Sequence, residues 1–170
     1  MTRGSPNVTV PFTVVRDQRE NAPYQFMGLR ADSKQQNKPL IVPVKVVHLV
    51  TGDYSIEGLT DVICVERKSK EDLYSTLRDE EHRERFRAEH ERMATYAFAC
   101  VVIEASWESI LNDPPKDCRL NPKTIWRTFQ KWRLRYGVAW EAIGPRAMAE
   151  EHTFRTLQFY HEEFLSNGNA

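Results

Sequence analysis

The sequence has no excess of either charge. Its 24 Lys and Arg residues balance 24 Asp and Glu residues, so the formal net charge is zero. A protein that coats nucleic acid without regard to its sequence needs a strong positive excess, because this affinity grows with the number of phosphates neutralised. The composition therefore excludes a histone-like coating protein, although it is compatible with a local basic groove.

Cysteine and long apolar runs are also scarce. The three cysteines, Cys64, Cys100 and Cys118, are far apart and show no pairing or zinc-ligand spacing. This predicts a reducing, intracellular compartment, which is the cytoplasm or, in a eukaryote, the nucleus. No apolar stretch approaches the roughly 20 residues needed to span a bilayer, and the polar start is not a signal sequence, so no membrane association is expected. The five histidines lack ligand spacing and no glycine-rich phosphate loop is present, which argues against zinc and nucleotide-driven chemistry.

What is present is the pattern of one α/β domain. The 170 residues suit a single domain over residues 11–170, after a flexible lead over residues 1–10. Strands are predicted at VTVPFTVVRD, at LIVPVKVVHLV with a break at its proline, and at DVICVE, AFACVVIEA and VAWEAI. Helical periodicity appears after residue 68, from 121 to 137 and after 145. This order predicts a central mixed β-sheet flanked by α-helices.

Acidic residues gather where the predicted strands end. Asp17 and Glu20 follow the first strand, Asp53 lies in a glycine turn, and Glu66 ends the apolar run VICVE. Because side chains alternate along a strand, Glu66 and Lys68 point to the same face. Carboxylates bind Mg²⁺ together with water and substrate phosphate, and an ammonium group stabilises charge that develops on the phosphate. This combination favours phosphodiester hydrolysis, whereas a lone E-x-K triplet would more simply be a surface ion pair.

A longer motif surrounds this triplet. The segment GDYSIEGLTDVICVERKSKED (residues 52–72) carries the signature G-D-x(n)-E-R-K-x(3)-D, and it resembles the excision-repair cross-complementation group-four nuclease domain, of XPF and MUS type. DQRE at residues 17–20 is similar to the D-x-R-E of that family. RERFRAE and ACVVIEAS resemble its next helix and buried strand. The resemblance implies the restriction-endonuclease-like fold of the PD-(D/E)XK superfamily, and a DNA endonuclease that acts at branched or flap DNA with Mg²⁺ or Mn²⁺.

The same resemblance implies a metal site. Asp53 and Glu66 would be the primary metal ligands, and Asp17, with Glu20 beside it, would complete the acidic cluster. Lys68 would orient or activate the attacking water. The expectation is therefore that the carboxylates of Asp17, Asp53 and Glu66 converge on one hydrated divalent ion.

Three further residues complete the implied catalytic set. Arg67 points away from Glu66 in an ideal strand, so it would need a phosphate on its own side. Asp72 lies four residues after Lys68 and would hold the basic residues in place. Arg19 would support the acidic cluster in a similar way.

The implied partner is DNA. Relatives that cut branched DNA carry a tandem helix-hairpin-helix domain after the nuclease, and no such domain is evident in this sequence. A homodimer, or a partner that supplies helix-hairpin-helix DNA binding, would then provide the specificity. The alternative function is a non-catalytic DNA-binding or dimerisation module of the same fold.

Two features leave alternatives open. The segment KTIWRTFQKWRLRYG (residues 123–137), which overlaps the predicted helix 122–136, interleaves basic and aromatic residues, as surfaces that bind nucleic acid do. Its spacing is also that of an amphipathic helix with aromatics inward, which is the favoured interpretation, with the basic face as an auxiliary DNA surface.

Glu104, which ends the strand AFACVVIE, either approaches the acidic edge or is a satisfied strand-end carboxylate.

Overall fold

The computed structural model describes residues 7–32 and 37–166. The strands are β1 (Val8–Thr9), β2 (Val14–Asp17), β3 (Leu40–Ile41), β4 (Val44–Val47), β5 (Tyr54–Ile56), β6 (Ile63–Lys68), β7 (Phe98–Ile103) and β8 (Ala139–Ala142). The helices are α1 (Lys70–Leu77), α2 (Glu80–Met93), α3 (Trp107–Asn112), α4 (Pro122–Tyr136) and α5 (Arg146–Ser166). Within the described ranges, no helix is both long and apolar enough to cross a membrane.

Six strands form one mixed sheet in the order β4-β2-β5-β6-β7-β8. β5 pairs antiparallel with both β2 and β6, whereas β6, β7 and β8 are parallel to one another. β6 therefore lies near the centre, between β5 and β7. Asp53 directly precedes β5, and Asp17 ends β2, which is the next strand beyond β5. The mixed sheet flanked by helices confirms the predicted α/β architecture.

The hydrophobic core lies on both faces of this sheet. α5 packs on one face, where Val65 of β6 and Phe154 of α5 belong to one buried cluster. α1 to α4 contribute to the other face, where Cys64 of β6 is buried with Phe86 of α2. Because successive side chains of β6 enter opposite clusters, the strand is buried on both sides until its charged end.

Each of the two long predicted N-terminal strand segments is divided at a proline. VTVPFTVVRD forms β1 and β2 on either side of Pro11, and LIVPVKVVHLV forms β3 and β4 on either side of Pro43. A proline has no N–H to donate to a ladder, so it interrupts regular pairing. β1 pairs with β3 in a separate two-stranded sheet, while β2 and β4 join the main sheet. Of the lead predicted over residues 1–10, residues 1–6 lie outside the described part of the chain.

α4 begins and ends as its sequence predicts. The side chain of Asn121 accepts a hydrogen bond from the N–H of Lys123, Pro122 occupies the first turn, and Gly137 ends the helix in the left-handed conformation with φ of 71°. The core interpretation is confirmed for Phe129 and Trp132, which are buried with Ile125, whereas Trp126 is 39% exposed.

Candidate active site

An open cleft of about 450 Å³ lies where β2, β5 and β6 approach α2. It is lined mainly by charged residues, whereas the rest of the sheet is covered by apolar side chains. Its charged lining residues are Asp17, Arg19, Asp53, Glu66, Lys68, Arg85, Glu89 and Arg92. The cleft thus collects several of the sequence-predicted site residues.

The end of β6 supplies an acid and an amine on the same face, as the strand alternation predicts. The Nζ of Lys68 donates a hydrogen bond to Oε1 of Glu66 over 2.9 Å, and it lies 4.7 Å from the centre of the Phe86 ring. Burial opposes the charge of this ammonium group, but the negative charges of Glu66, Glu89 and Asp53 raise the pKa of Lys68 above its ordinary value. Lys68 therefore remains a cation at neutral pH, so the charge of this side chain suits it to stabilise negative charge rather than to accept a proton.

A glycine turn positions Asp53 beside β6. Gly52 has φ of +75°, and a Cβ at this position would lie 3.0 Å from the Cβ of Cys64, so only glycine fits. The N–H of Arg67 donates to Oδ2 of Asp53 over 2.8 Å, and the N–H of Asp53 donates to the carbonyl of Val65 over 2.9 Å. Burial, and then the charge of Glu66, raise the pKa of Asp53 well above its ordinary value.

Glu89 of α2 is a site residue that the sequence analysis missed. It lines the cleft, where its carboxyl group interacts electrostatically with Glu66. Burial, followed by the charge of Glu66, raises the pKa of Glu89 to about 8. The sequence feature that could have indicated Glu89 is its position three residues after Phe86, which places both side chains on one face of the helix. Three acidic groups, Asp53, Glu66 and Glu89, thus interact around the single ammonium of Lys68.

Asp17 is buried and already paired with Arg19. Its Oδ1 accepts bonds from the backbone N–H and the Nε of Arg19 over 2.6 and 2.9 Å, and its Oδ2 accepts from the N–H of Leu49 over 2.6 Å. Burial alone would raise the pKa of Asp17, but the bonds from Arg19 and Leu49 outweigh it and lower that pKa below its ordinary value. No group of three His, Cys, Asp or Glu residues in the described ranges is arranged to hold a metal ion. The expected trio of Asp17, Asp53 and Glu66 is therefore not formed, because Arg19 already satisfies Asp17.

Arg67 and Glu20 lie on the opposite face of β6 from Glu66. The guanidinium of Arg67 forms a two-pronged bond with Glu104, with both N···O distances 2.8 Å, and its Nη1 lies 3.4 Å from Oε1 of Glu20. Arg146 of α5 donates a further bond to Glu104 over 2.9 Å. Arg67 thus binds a carboxylate instead of the expected phosphate, and Glu20 binds Arg67 instead of joining Asp53 and Glu66. Of the two alternatives for Glu104, the structure shows the second: its carboxylate ends the strand and is hydrogen-bonded by Arg67 and Arg146.

Asp72 stabilises the start of α1. Its N–H donates to Oγ of Ser69 over 3.0 Å, and the same hydroxyl donates to Oδ2 of Asp72 over 2.8 Å. These are the bonds of a helix N-cap. They replace the expected contact of Asp72 with the basic residues of the motif.

The cleft residues fit a divalent cation held by few protein ligands. Mg²⁺ is commonly bound through one or two carboxylates, with water and substrate phosphate completing its shell. Asp53 and Glu66 offer two such carboxylates in an open cleft. Burial, followed by the negative charge of Glu66, raises the pKa values of Asp53 and Glu89, and a bound cation would offset the repulsion among these carboxylates.

Comparisons with known proteins bear on the family and the fold. The family model of the ERCC4 domain matches residues 16–143. XPF from Aeropyrum pernix shares the fold with a TM-score of 0.63 at 18% sequence identity, over 96% of this chain and 69% of that chain. XPF from Aeropyrum pernix in complex with DNA gives a TM-score of 0.62 at 19% identity, over 89% of this chain and 66% of that one. No curated protein matches the sequence. The structural likeness confirms the restriction-endonuclease-like fold.

Proposed function

Because the chain belongs to the ERCC4 domain family, we propose that it is a metal-dependent DNA endonuclease that hydrolyses phosphodiester bonds at branched or flap DNA. The observation that carries this proposal is the acid and amine on one face of β6, beside Asp53 in an open cleft. The cofactor we propose is Mg²⁺ or Mn²⁺. The relative solved with DNA supports DNA as the ligand.

The side chains of the cleft divide into ligands and a charge-stabilising group. Asp53 and Glu66 would hold the cation, with Asp53 oriented by the N–H of Arg67. A divalent cation bound there polarises a phosphate and lowers the pKa of bound water. The ammonium of Lys68, held at Glu66, stabilises negative charge that develops on the phosphate as the attacking oxygen approaches.

Cleavage of flap, fork and linear duplex DNA in Mg²⁺ tests this proposal. Asp53→Ala, Glu66→Ala and Lys68→Ala should each lower the cleavage rate by about 100-fold or more, which is the usual effect of losing one electrostatic contact to the transition state. The matched control is Glu108→Ala, because Glu108 is an exposed carboxylate on α3 outside the cleft. It should cleave like the wild type. Equal rates in all five proteins would refute the proposed mechanism.

The alternative, a non-catalytic DNA-binding or dimerisation module, predicts a different pattern. Such a module would bind DNA without cleaving any substrate in either metal. Metal binding is measured separately, from the change in melting temperature on addition of Mn²⁺. We expect Mn²⁺ to raise the melting temperature of the wild type but not that of Glu66→Ala. Circular dichroism of each variant shows whether the fold is retained, so that a lost activity is not mistaken for a lost structure.

A further inference from the structure

α4 is the most one-sidedly charged element of the protein. Its sequence PKTIWRTFQKWRLRY contains five cations and no acidic residue, although the whole chain is neutral. Packing accounts for Ile125, Phe129 and Trp132, which are buried in one cluster with Trp140 of β8. Packing does not account for the cations, all of which are exposed: Lys123, Arg127, Lys131, Arg133 and Arg135.

Four of these cations form a row along the exposed side of the helix, and the row is inclined to the helix axis because four residues exceed one turn by about 40°. Lys123, Arg127, Lys131 and Arg135 recur every four residues, so neighbours lie about 6 Å apart and the row is about 18 Å long. Over residues 7–32 and 37–166, none of the four is ion-paired. Each unpaired cation of the row is available to neutralise a phosphate of a nucleic-acid backbone.

The exposed face of α2 shows what a charged helix looks like when its charges support the helix itself. Acids and cations alternate there and form pairs three or four residues apart, including Arg83 with Glu80 and Arg85 with Glu81. The row on α4 instead places like charges four residues apart, which costs roughly 0.2–0.5 kcal/mol for each pair. Lys123 also lies in the first turn, where the helix dipole disfavours a cation. The helix dipole favours Arg135 in the last turn, but the like-charge neighbours and Lys123 oppose helix stability. An external polyanion would supply the missing counter-charge.

We propose that this row (Lys123, Arg127, Lys131 and Arg135), the α4 row, is a second DNA-binding surface that holds the phosphate backbone of a duplex arm outside the cleft. The proposal rests on the proposed function only in taking DNA as the ligand. The two surfaces are mechanically connected, because Phe86 lies beside Lys68 in the cleft and its ring centre is 5.7 Å from that of Trp132 on the inner side of α4. They are on the order of 20 Å apart, once the width of a helix is included, which is less than one turn of B-form DNA.

The test is equilibrium binding of a fluorescent DNA duplex, measured by anisotropy in EDTA over 50–200 mM salt. The variant is Lys123→Gln/Arg127→Gln/Lys131→Gln, in which glutamine retains helix propensity. The control is Arg30→Gln/Lys45→Gln/Arg78→Gln, which removes the same charge from exposed positions elsewhere. Because EDTA prevents metal-dependent cleavage, a failure of the proposed catalysis does not affect this measurement.

The α4 variant should bind roughly 10- to 100-fold more weakly at 150 mM salt, and the slope of log affinity against log salt should be shallower by about 3. Its melting temperature should equal or exceed that of the wild type, since repulsion is removed. The control should retain the wild-type slope. An unchanged slope in the α4 variant, or an equal change in the control, would overturn the proposal. A change in solution mass without a change in slope would also overturn it, because the row would then bind a second copy of the chain.

Discussion

Arg67 is the central residue of the triplet Glu66-Arg67-Lys68. Its replacement by methionine tests whether this side chain stabilises the fold or acts on the substrate. The side chains of Arg67 and Glu104 are only 8% and 9% exposed, and two bonds of 2.8 Å join them. Loss of one partner from a buried ion pair usually costs about 3–5 kcal/mol, because the remaining charge is left without its partner. Here Arg146 still donates to Glu104, so we expect the lower end, about 3 kcal/mol of unfolding free energy.

Urea denaturation of Arg67→Met and of Arg127→Met provides the measurement. Arg127 is exposed on α4, so its replacement should change the unfolding free energy by no more than about 0.5 kcal/mol. The backbone N–H of Arg67 remains in the methionine variant and still orients Asp53. At a temperature where Arg67→Met is folded, it should therefore retain substantial cleavage. A change of unfolding free energy below about 1 kcal/mol together with complete loss of cleavage would refute this reasoning, because Arg67 would then act on the substrate.

Three further predictions concern single residues around the cleft. His90 is fully buried between the carbonyl of Phe86 and the Nε1 of Trp140, and burial lowers its pKa to about 4. As the pH falls, the imidazole of His90 is protonated in the unfolded chain before it is protonated in the folded protein. The free energy of unfolding should therefore fall by about 3 kcal/mol between pH 6.5 and pH 4. In His90→Gln, the urea midpoint should depend less on pH over this range. Gly52→Ala forces a Cβ against Cys64 at positive φ, and should cost about 1–3 kcal/mol in the same assay. Glu89→Gln removes a carboxyl group whose pKa is raised to about 8 by burial and by the charge of Glu66. Without metal, this variant should therefore melt at a higher temperature than the wild type at pH 8. An unchanged melting temperature would contradict the repulsion between Glu89 and Glu66.

Features that depend on neighbours in the sequence were predictable. Alternation along β6 placed Glu66 and Lys68 on one face, and the caps of α4 followed from Asn121, Pro122 and Gly137. Both follow from local backbone geometry, with periods of 2 and 3.6 residues.

Features that depend on which elements meet were not predictable. Arg67 and Glu104 are 37 residues apart, and their pairing requires β6 and β7 to be adjacent and parallel in register. Glu89 joins Glu66 only because α2 packs across the end of β6. The pairing of Asp17 with Arg19 was close in sequence, but a carboxylate that is free and one that is paired look alike in a sequence.

The central claim is that Asp53 and Glu66 hold one divalent cation beside Lys68. Titration of Mn²⁺ by isothermal calorimetry tests it directly, with wild type, Glu66→Gln and Asp72→Asn. Asp72 is a carboxylate of the same motif that accepts a hydrogen bond from Ser69, the N-cap residue of α1. We predict one Mn²⁺ per chain in the wild type and in Asp72→Asn, competed by Mg²⁺, and strongly weakened binding in Glu66→Gln. Equal Mn²⁺ binding by Glu66→Gln and wild type, or no binding by the wild type, would contradict the account.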